Sequence, residues 1–194
     1  MYGIIGEEAS DTQVIKVIIR NLTGAQKQKC LCQGYSGDGE LFNNGARDLR
    51  SFKNQGCTKF VVCYDADGPD PSQRDERVIQ EIIRPAGIES DYCVVIPVQE
   101  LEAWILADIQ AVSKVFTGWK PSPFKENPEG VKDPKERLIS ENRKHFGKPK
   151  YTPSTHNPKV ANYLDLFMVR KRCPSFEKLA KWVTGSAVTP GQQR

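Results

Sequence analysis

The sequence predicts an α/β fold: a mainly parallel four-stranded sheet flanked by helices, with a C-terminal helical extension. Three observations carry this prediction. Four short apolar runs, at residues 2–6, 29–33, 59–64 and 92–98, have the length and composition of strands. Segments with helical spacing of apolar residues alternate with them up to about residue 116, an order that requires right-handed crossovers between parallel strands. After Gly118 the chain becomes rich in Pro, Lys and Glu.

The first half of the predicted sheet follows from the order of its elements. Tyr2–Gly6 is predicted as the first strand, followed by a helix that Ser10 or Asp11 caps and Gly24 ends. The second strand covers 29–33. Residues 35–44 are predicted as a Gly/Asp/Asn loop before a helix over 46–54.

The third strand is the most strongly marked element of the chain. Phe60 to Tyr64 form a continuous apolar run, as expected for a strand buried on both faces, and Asp65 and Asp67 follow it directly. A helix is predicted over 74–83. The fourth strand, 92–98, leads into a helix expected to run from Gln99 to residue 115 or 116.

The remaining residues predict an appendage to this sheet. Helices are expected at 134–145, 157–166 and 175–183. We place the boundary between the α/β domain (1–117) and the Lys/Pro-rich extension with its helices (118–194) after residue 117. With 194 residues and 38% hydrophobic content, the chain is long enough for one ordinary core plus an extension.

Composition narrows the class of function without fixing it. The net charge of +4 permits nucleic-acid binding. Six cysteines without a CxxC pair favour buried thiols in a reducing compartment, and the two histidines lack the spacing of zinc ligands. No signal peptide and no apolar run near ~20 residues is visible, so we expect a cytoplasmic protein without membrane contact.

Acidic residues follow three of the four predicted strands. Glu7 and Asp11 follow the first strand, Asp65 and Asp67 the third, and Glu100 or Glu102 the fourth. Because parallel strands end at one edge of a sheet, these carboxylates are expected to converge there. Converging carboxylates repel one another unless a cation compensates them, which predicts a site for Mg²⁺ or Mn²⁺.

Simpler roles exist for each of these acids. Glu7, Glu8 and Asp11 are placed where acids cap a helix or complement its dipole, and Glu100 and Glu102 also lie in a first helical turn. A solvated turn would account for Asp65 and Asp67. The combination of all three strand ends is what favours a site.

The motifs GIIGEEASD at 3–11 and VCYDADG at 62–68 resemble those of the Toprim domain, a Rossmann-like fold shared by topoisomerases, primases and OLD-type nucleases. The resemblance implies that Glu7 is the Toprim glutamate, that Asp65 and Asp67 are the metal-holding pair, and that Asp11 is the later acid of an E-x-x-x-D arrangement. One departure is that Glu8 stands where that family usually has Gly, so Glu7 and Glu8 could exchange roles.

A second resemblance covers most of the chain. The segment 97–108, with its ELEAWILAD run, and KRCPSF at 171–176 are similar to a small stand-alone Toprim-like family associated with bacterial phage-defence loci. It implies that Glu102 belongs to the site and that a partner ATPase acts with the protein.

The leading hypothesis is a metal-dependent nuclease acting on DNA or RNA. Glu7, Asp65 and Asp67 would be catalytic and would hold one or two ions, with Asp11 and Glu102 completing a second metal position. Carboxylates alone repel a polyanion, so the densest group of basic residues is a candidate surface for binding the nucleic-acid backbone. These residues are Arg170, Lys171, Arg172, Lys178 and Lys181 near the C-terminus, with Lys144, Lys148 and Lys150 before them.

Three other interpretations compete with this one. A haloacid-dehalogenase-type phosphatase would use Asp65 as nucleophile, but that family places its motif on the first strand. An EF-hand loop fails because Gly68 and Pro69 stand at its fourth and fifth positions. A non-catalytic, partner-binding module of an ATPase complex stays open.

Overall fold

The computed structural model of the protein describes residues 1–66 and 72–185. Four parallel strands form one sheet in the order β2-β1-β3-β4. The strands are β1 (Tyr2–Gly6), β2 (Cys30–Gly34), β3 (Lys59–Cys63) and β4 (Tyr92–Val95). The predicted α/β fold is therefore confirmed, with every strand of the described sheet parallel.

Helices connect and follow the strands. Four of them accompany the sheet: α1 (Ala9–Thr23), α2 (Asp38–Asn54), α3 (Ser72–Val78), which continues as a π-helical turn (Ile79–Ile83), and α4 (Glu102–Ala107). Two short 3-10 helices (Ile109–Lys114 and Pro128–Gly130) lead to α5 (Pro134–Phe146), α6 (Pro153–Ala161), α7 (Leu166–Arg172) and α8 (Pro174–Thr184).

Alternation along the strands divides the core between two faces of the sheet. Ile4 and Val61 point to one face, which α1, α4 and α5–α8 cover; we call it the extension face. Ile5 and Val62 point to the opposite face, covered by α2, α3 and the π-helical turn. All four side chains are fully buried, as expected for central strands covered on both sides.

The residues after Gly118 share the core of the extension face. Trp104 of α4 is fully buried and lies edge-on against Phe176 of α8, with ring centroids 5.1 Å apart. Its indole N–H donates to the hydroxyl of Ser175 at 2.9 Å. The extension therefore packs directly on the helix that follows the fourth strand.

One helix begins earlier than its sequence indicated. Residues 35–44 were expected to be a loop, but α2 already begins at Asp38. Leu41 is fully buried, so an apolar side chain anchors a turn whose Gly and Asp content had favoured a loop. The prediction for residues 38–44 was wrong because burial of this turn outweighs its poor intrinsic helix propensity.

Two predicted helices end earlier than expected, and in each case an aspartate stands directly before the next helix. The helix expected from Gln99 to residue 115 or 116 is α4 followed by a 3-10 helix, with Asp108 between them. The helix expected over 157–166 ends at Ala161, and Asp165 caps a separate helix by accepting hydrogen bonds from the N–H groups of the next turn. The Asp108 carboxylate accepts from the Asp165 N–H at 2.8 Å, so a hydrogen bond connects the two segments in which the helices are interrupted.

Gly34 brings β2 unusually close to the start of α1. A Cβ added there would lie 2.2 Å from the Cα of Ala9 and 2.7 Å from the carbonyl carbon of Glu8. Both neighbours are backbone atoms that cannot rotate away. Only glycine therefore permits this approach of strand and helix.

Among the described residues, no helix combines the length and apolarity that crossing a bilayer requires.

Candidate active site at the carboxyl edge of the sheet

The backbone keeps the strands aligned beyond their last ladder residues. The N–H of Glu7 donates to the carbonyl of Cys63 at 3.3 Å, and the N–H of Ala66 donates to the carbonyl of Pro97 at 2.9 Å. The residues that follow β1, β3 and β4 are thereby held at one edge of the sheet. This is the edge at which open parallel sheets bind ligands.

Four carboxylates lie within electrostatic reach of one another at this edge: Glu7, Asp11, Asp65 and Glu102. We call them the acidic edge. Burial raises the pKa of Asp65 well above its usual value, and the charges of Asp11, Glu102 and Glu7 raise it further. Burial also raises the pKa of Asp11 to about 7, with the charge of Glu102 as the next contribution. Within the described residues, Asp65 and Asp11 are thus each influenced by the other acids that the sequence assigned to separate strand ends.

Asp65 is held through its backbone, while its carboxylate has an uncompensated oxygen. Its Oδ1 is buried and has no hydrogen-bond partner among the described residues. Its carbonyl accepts from the guanidinium of Arg74 at 2.7 Å, and that guanidinium lies 4.9 Å from the ring centre of Tyr64. A buried carboxylate oxygen without a donor is costly unless a ligand compensates it.

Asp11 has a local role as well as a place in the acidic edge. Its Oδ2 accepts from the N–H of Glu8 at 3.0 Å, which forms a capping box at the start of α1. The hydroxyl of Ser10 donates to the other oxygen at 3.4 Å. Helix capping, one of the simpler roles considered for this residue, is therefore real, and it fixes Asp11 beside the other acids.

The structure separates the two neighbouring glutamates. Glu7 is half-buried, and its charge raises the pKa of both Asp65 and Asp11. Glu8 is exposed, and its Oε1 accepts from the ammonium of Lys135 at 3.1 Å. The charge of Glu8 also raises the pKa of Asp11. Glu7 is the more buried of the two and also acts on Asp65, so we assign it to the acidic edge, whereas Glu8 contacts α5 at its rim.

The fourth strand end places two more glutamates in different environments. Glu102 is only 6% exposed, and its Oε1 accepts from the side-chain amide of Asn157 at 2.8 Å. Glu100 is half-buried and accepts from the backbone N–H of Lys135 at 2.9 Å. Both glutamates raise the pKa of Asp65, Glu102 more strongly.

Lys135 is a cation of this edge that sequence reasoning missed. Burial lowers the pKa of its ammonium, but the hydrogen bond to Glu8 and the charges of Glu102, Glu8 and Glu100 outweigh burial and raise it. The side chain is therefore a stable positive charge against a group of acids. Its place at the start of α5, 127 residues from Glu8, leaves no local sequence signal.

The predicted nucleic-acid surface is largely engaged within the protein. Arg170 forms a salt bridge with Glu177, with Nη2 and Oε1 2.7 Å apart, and Lys178 forms one with Asp75 at 2.6 Å. Arg172 donates to two backbone carbonyls, at 2.6 and 2.7 Å. The side chain of Lys171 is exposed. The four residues lie near one another in sequence but do not share one environment.

The donors of the acidic edge suit a hard divalent cation, which prefers carboxylate oxygens. The unpartnered Oδ1 of Asp65 is consistent with such a ligand. Within 1–66 and 72–185, no three His, Cys, Asp or Glu side chains are placed as a metal-binding group. Asp67, the predicted second acid of the pair, lies outside the described residues.

Comparison with known proteins identifies the family. Residues 6–184 match the model of a domain of unknown function, DUF4276, and the chain belongs to that family. No curated protein matches the chain. No solved structure matches it either.

Proposed function

We propose that this DUF4276 protein is a Mg²⁺-dependent nuclease that cleaves phosphodiester bonds of DNA or RNA at the acidic edge. The observation that carries the proposal is the mutual approach of four carboxylates at the carboxyl ends of parallel strands, one of them with a buried, unpartnered oxygen. Such an arrangement is unfavourable in isolation and becomes favourable around a cation.

Each residue then has a stated role. Asp65, with Asp67 and Glu7, would hold the cation, and Asp11 and Glu102 would serve a second position. Bound Mg²⁺ would polarise the scissile phosphate and lower the pKa of an attacking water. The ammonium of Lys135 offers a positive charge to the incoming phosphate, which the acids alone would repel.

The cellular setting of this proposal comes from the resemblance to Toprim-like defence proteins. On that basis the nuclease is an effector in bacterial anti-phage defence, acts in the cytoplasm and works with a partner ATPase. These roles rest on the motifs at 3–11, 62–68 and 97–108 rather than on the geometry of the site.

A partner-binding role is the second candidate, and one observation favours it. Tyr163, Phe167 and Met168 are 53%, 45% and 37% exposed. They lie within six consecutive residues, between the end of α6 and the first turn of α7. Exposed large apolar side chains grouped in this way are common at protein interfaces. A module of this kind would need no metal.

Metal binding and cleavage distinguish the two candidates. We would titrate Mn²⁺ into wild-type protein and Asp65→Ala by calorimetry, and assay plasmid DNA and total tRNA cleavage on the same preparations. Asp48→Ala is the matched control, because it removes an acid of α2 that lies outside the acidic edge and accepts a hydrogen bond from the hydroxyl of Tyr35.

We expect the wild type and Asp48→Ala to bind and cleave, and Asp65→Ala to lose both while keeping its fold. The Ala variant should be as stable as the wild type or slightly more so, because it relieves repulsion between carboxylates. A folded wild type that binds no Mn²⁺ would refute the metal site. Cleavage retained by Asp65→Ala would refute the assignment of Asp65.

A further inference from the structure

A chain of buried hydrogen bonds links the acidic edge to the extension. The Nδ2 of Asn157 donates to Oε1 of Glu102 at 2.8 Å, and the hydroxyl of Tyr151 donates to Oδ1 of Asn157 at 2.5 Å. The exposed fractions of the three residues are 6% or less. The side chain of Glu102 is therefore hydrogen-bonded to a residue 55 positions away in the sequence, on α6.

In this series of hydrogen bonds, each donor and each acceptor has a defined identity. An ionised carboxylate only accepts hydrogen bonds, so the amide nitrogen of Asn157 must face Glu102, and its amide oxygen is left to accept from Tyr151. Tyr151 is itself fixed through its backbone, because the side-chain oxygen of Asn142 accepts from its N–H at 2.9 Å. The amide of Asn157 is thus held in the orientation that presents a donor to the carboxylate.

Packing alone gives no reason for these polar groups. The adjoining residues of α6, Val160 and Ala161, are fully buried and already belong to the core of the extension face. Apolar residues at 102, 151 and 157 would avoid the desolvation of three polar side chains. A buried network of hydrogen bonds instead confers one defined geometry on its members.

The position of Glu102 also matters to the rest of the acidic edge. Among neighbouring charges, that of Glu102 has the largest influence on Asp11, and it is second only to that of Asp11 on Asp65. Any displacement of Glu102 therefore changes the electrostatic field at Asp11 and at Asp65.

We infer that Asn157, oriented by Tyr151, is a positioning residue that holds Glu102 in the geometry the metal site requires. The inference deepens the proposed function and rests on it. It makes the extension part of the site: α6 supplies the group that fixes one of the acids. Groups that hydrogen-bond a metal ligand from behind typically change metal affinity or activity by about 10- to 100-fold when removed.

A double-mutant cycle tests whether Asn157 acts through Glu102. We would measure Mn²⁺ affinity by calorimetry for wild type, Asn157→Leu, Glu102→Gln and the double variant. We expect Asn157→Leu to weaken binding by about 10- to 100-fold. In the Glu102→Gln background the same substitution should have little further effect, because the group it positions is already altered.

Two further variants separate positioning from general support of the fold. Ser175→Ala removes a hydroxyl that accepts from the indole of Trp104 and donates to Glu129, away from the acidic edge, so it should lower the melting temperature without changing Mn²⁺ affinity. Tyr151→Phe keeps the ring and removes the hydroxyl that orients Asn157. It should weaken Mn²⁺ binding less than Asn157→Leu, and it replaces that variant if Asn157→Leu does not fold.

The outcomes are distinguishable from a failure of the proposed function. If the wild type binds Mn²⁺ and cleaves, but Asn157→Leu and Tyr151→Phe bind Mn²⁺ as the wild type does, the inference alone is overturned. Additive losses in the cycle would overturn it as well, since they would indicate a structural role independent of Glu102. A wild type that binds no Mn²⁺ overturns the metal site and this inference together.

Discussion

The extension face and the opposite face of the sheet bury similar apolar residues, but they differ in the polar groups they bring to the acidic edge. From the extension face, Lys135 contacts Glu8 and Glu100, and Asn157 contacts Glu102. From the opposite face, Arg74 donates to the backbone carbonyl of Asp65. The comparison indicates that the extension face supplies hydrogen bonds to the carboxylates themselves, whereas the opposite face helps to position the backbone that carries one of them.

Core truncations on the two faces should have the largest effects and should separate these roles. Trp104→Ala is expected to cost about 3–5 kcal/mol of unfolding free energy and, because α4 also carries Glu102, to weaken Mn²⁺ binding. Leu49→Ala, in α2, should cost about 2–5 kcal/mol and leave Mn²⁺ affinity unchanged. Denaturant unfolding and calorimetry measure both quantities.

A loss of Mn²⁺ affinity in Leu49→Ala equal to that in Trp104→Ala would remove the distinction between the faces.

The acidic edge should make the metal-free protein less stable as the pH rises. Asp11 has its pKa raised in the folded state to about 7 from an ordinary 3.8, and Asp65 is raised as well. Between about pH 4 and pH 7 the unfolded chain therefore loses protons that the folded protein retains, and the free energy of unfolding falls. Urea unfolding in EDTA across this range measures the effect, and Mg²⁺ should reverse it most strongly at the upper end.

Asp11→Asn provides the internal comparison for that profile. The variant should show a shallower fall in stability between pH 4 and pH 7, because it removes one of the groups responsible. A wild-type profile without any decline over this range would mean that these carboxyl groups are not as buried, and not as close to one another, as the structure indicates.

Removal of the Lys135 ammonium should affect cleavage more than stability. Its salt bridge with Glu8 is partly exposed and contributes at most about 1 kcal/mol to folding. Loss of a charged contact to a phosphate costs about 1.5–3 kcal/mol, so Lys135→Ala should reduce kcat/KM about 10- to 100-fold. Arg143→Ala, which removes an exposed cation of the same helix, is the control.

Equal activity of Lys135→Ala and Arg143→Ala would exclude Lys135 from substrate binding.

The smallest expected effect concerns the basic residues of α7. Lys171 is exposed, so Lys171→Ala should change stability by less than about 0.5 kcal/mol. If this residue contacts a nucleic-acid backbone, the same variant weakens binding. The slope of log K against log salt concentration should then fall by the amount expected for about one phosphate contact. Fluorescence anisotropy at several salt concentrations would detect this, and an unchanged salt slope would exclude Lys171 from the interface.

The parts of the molecule that local sequence determines were predictable. The run from Phe60 to Tyr64 marks a buried strand, and the acids after it and after Gly6 follow from the rule that parallel strands end at one edge. The early start of α2 was missed because a buried Leu41 anchors a turn with weak helix propensity. Burial depends on the partner surface, which no local pattern contains.

The contacts that complete the candidate site could not be predicted from spacing. Lys135 and Asn157 lie 127 and 55 residues from the glutamates they contact, and neither stands in a motif. Their positions depend on how α5 and α6 pack against α1 and α4. Only the general need for a cation near the acids was evident in the sequence.

The close approach at Gly34 has a consequence for how the family can vary. Any side chain at this position would push against the backbone of Glu8 and Ala9, which begins the helix that carries Asp11. A saturation mutagenesis library selected for cleavage should therefore tolerate no replacement at position 34, although this residue bears no reactive group. Intolerance at Gly34, on an outer strand, would then show that the position of Asp11 depends on this close approach of β2 and α1.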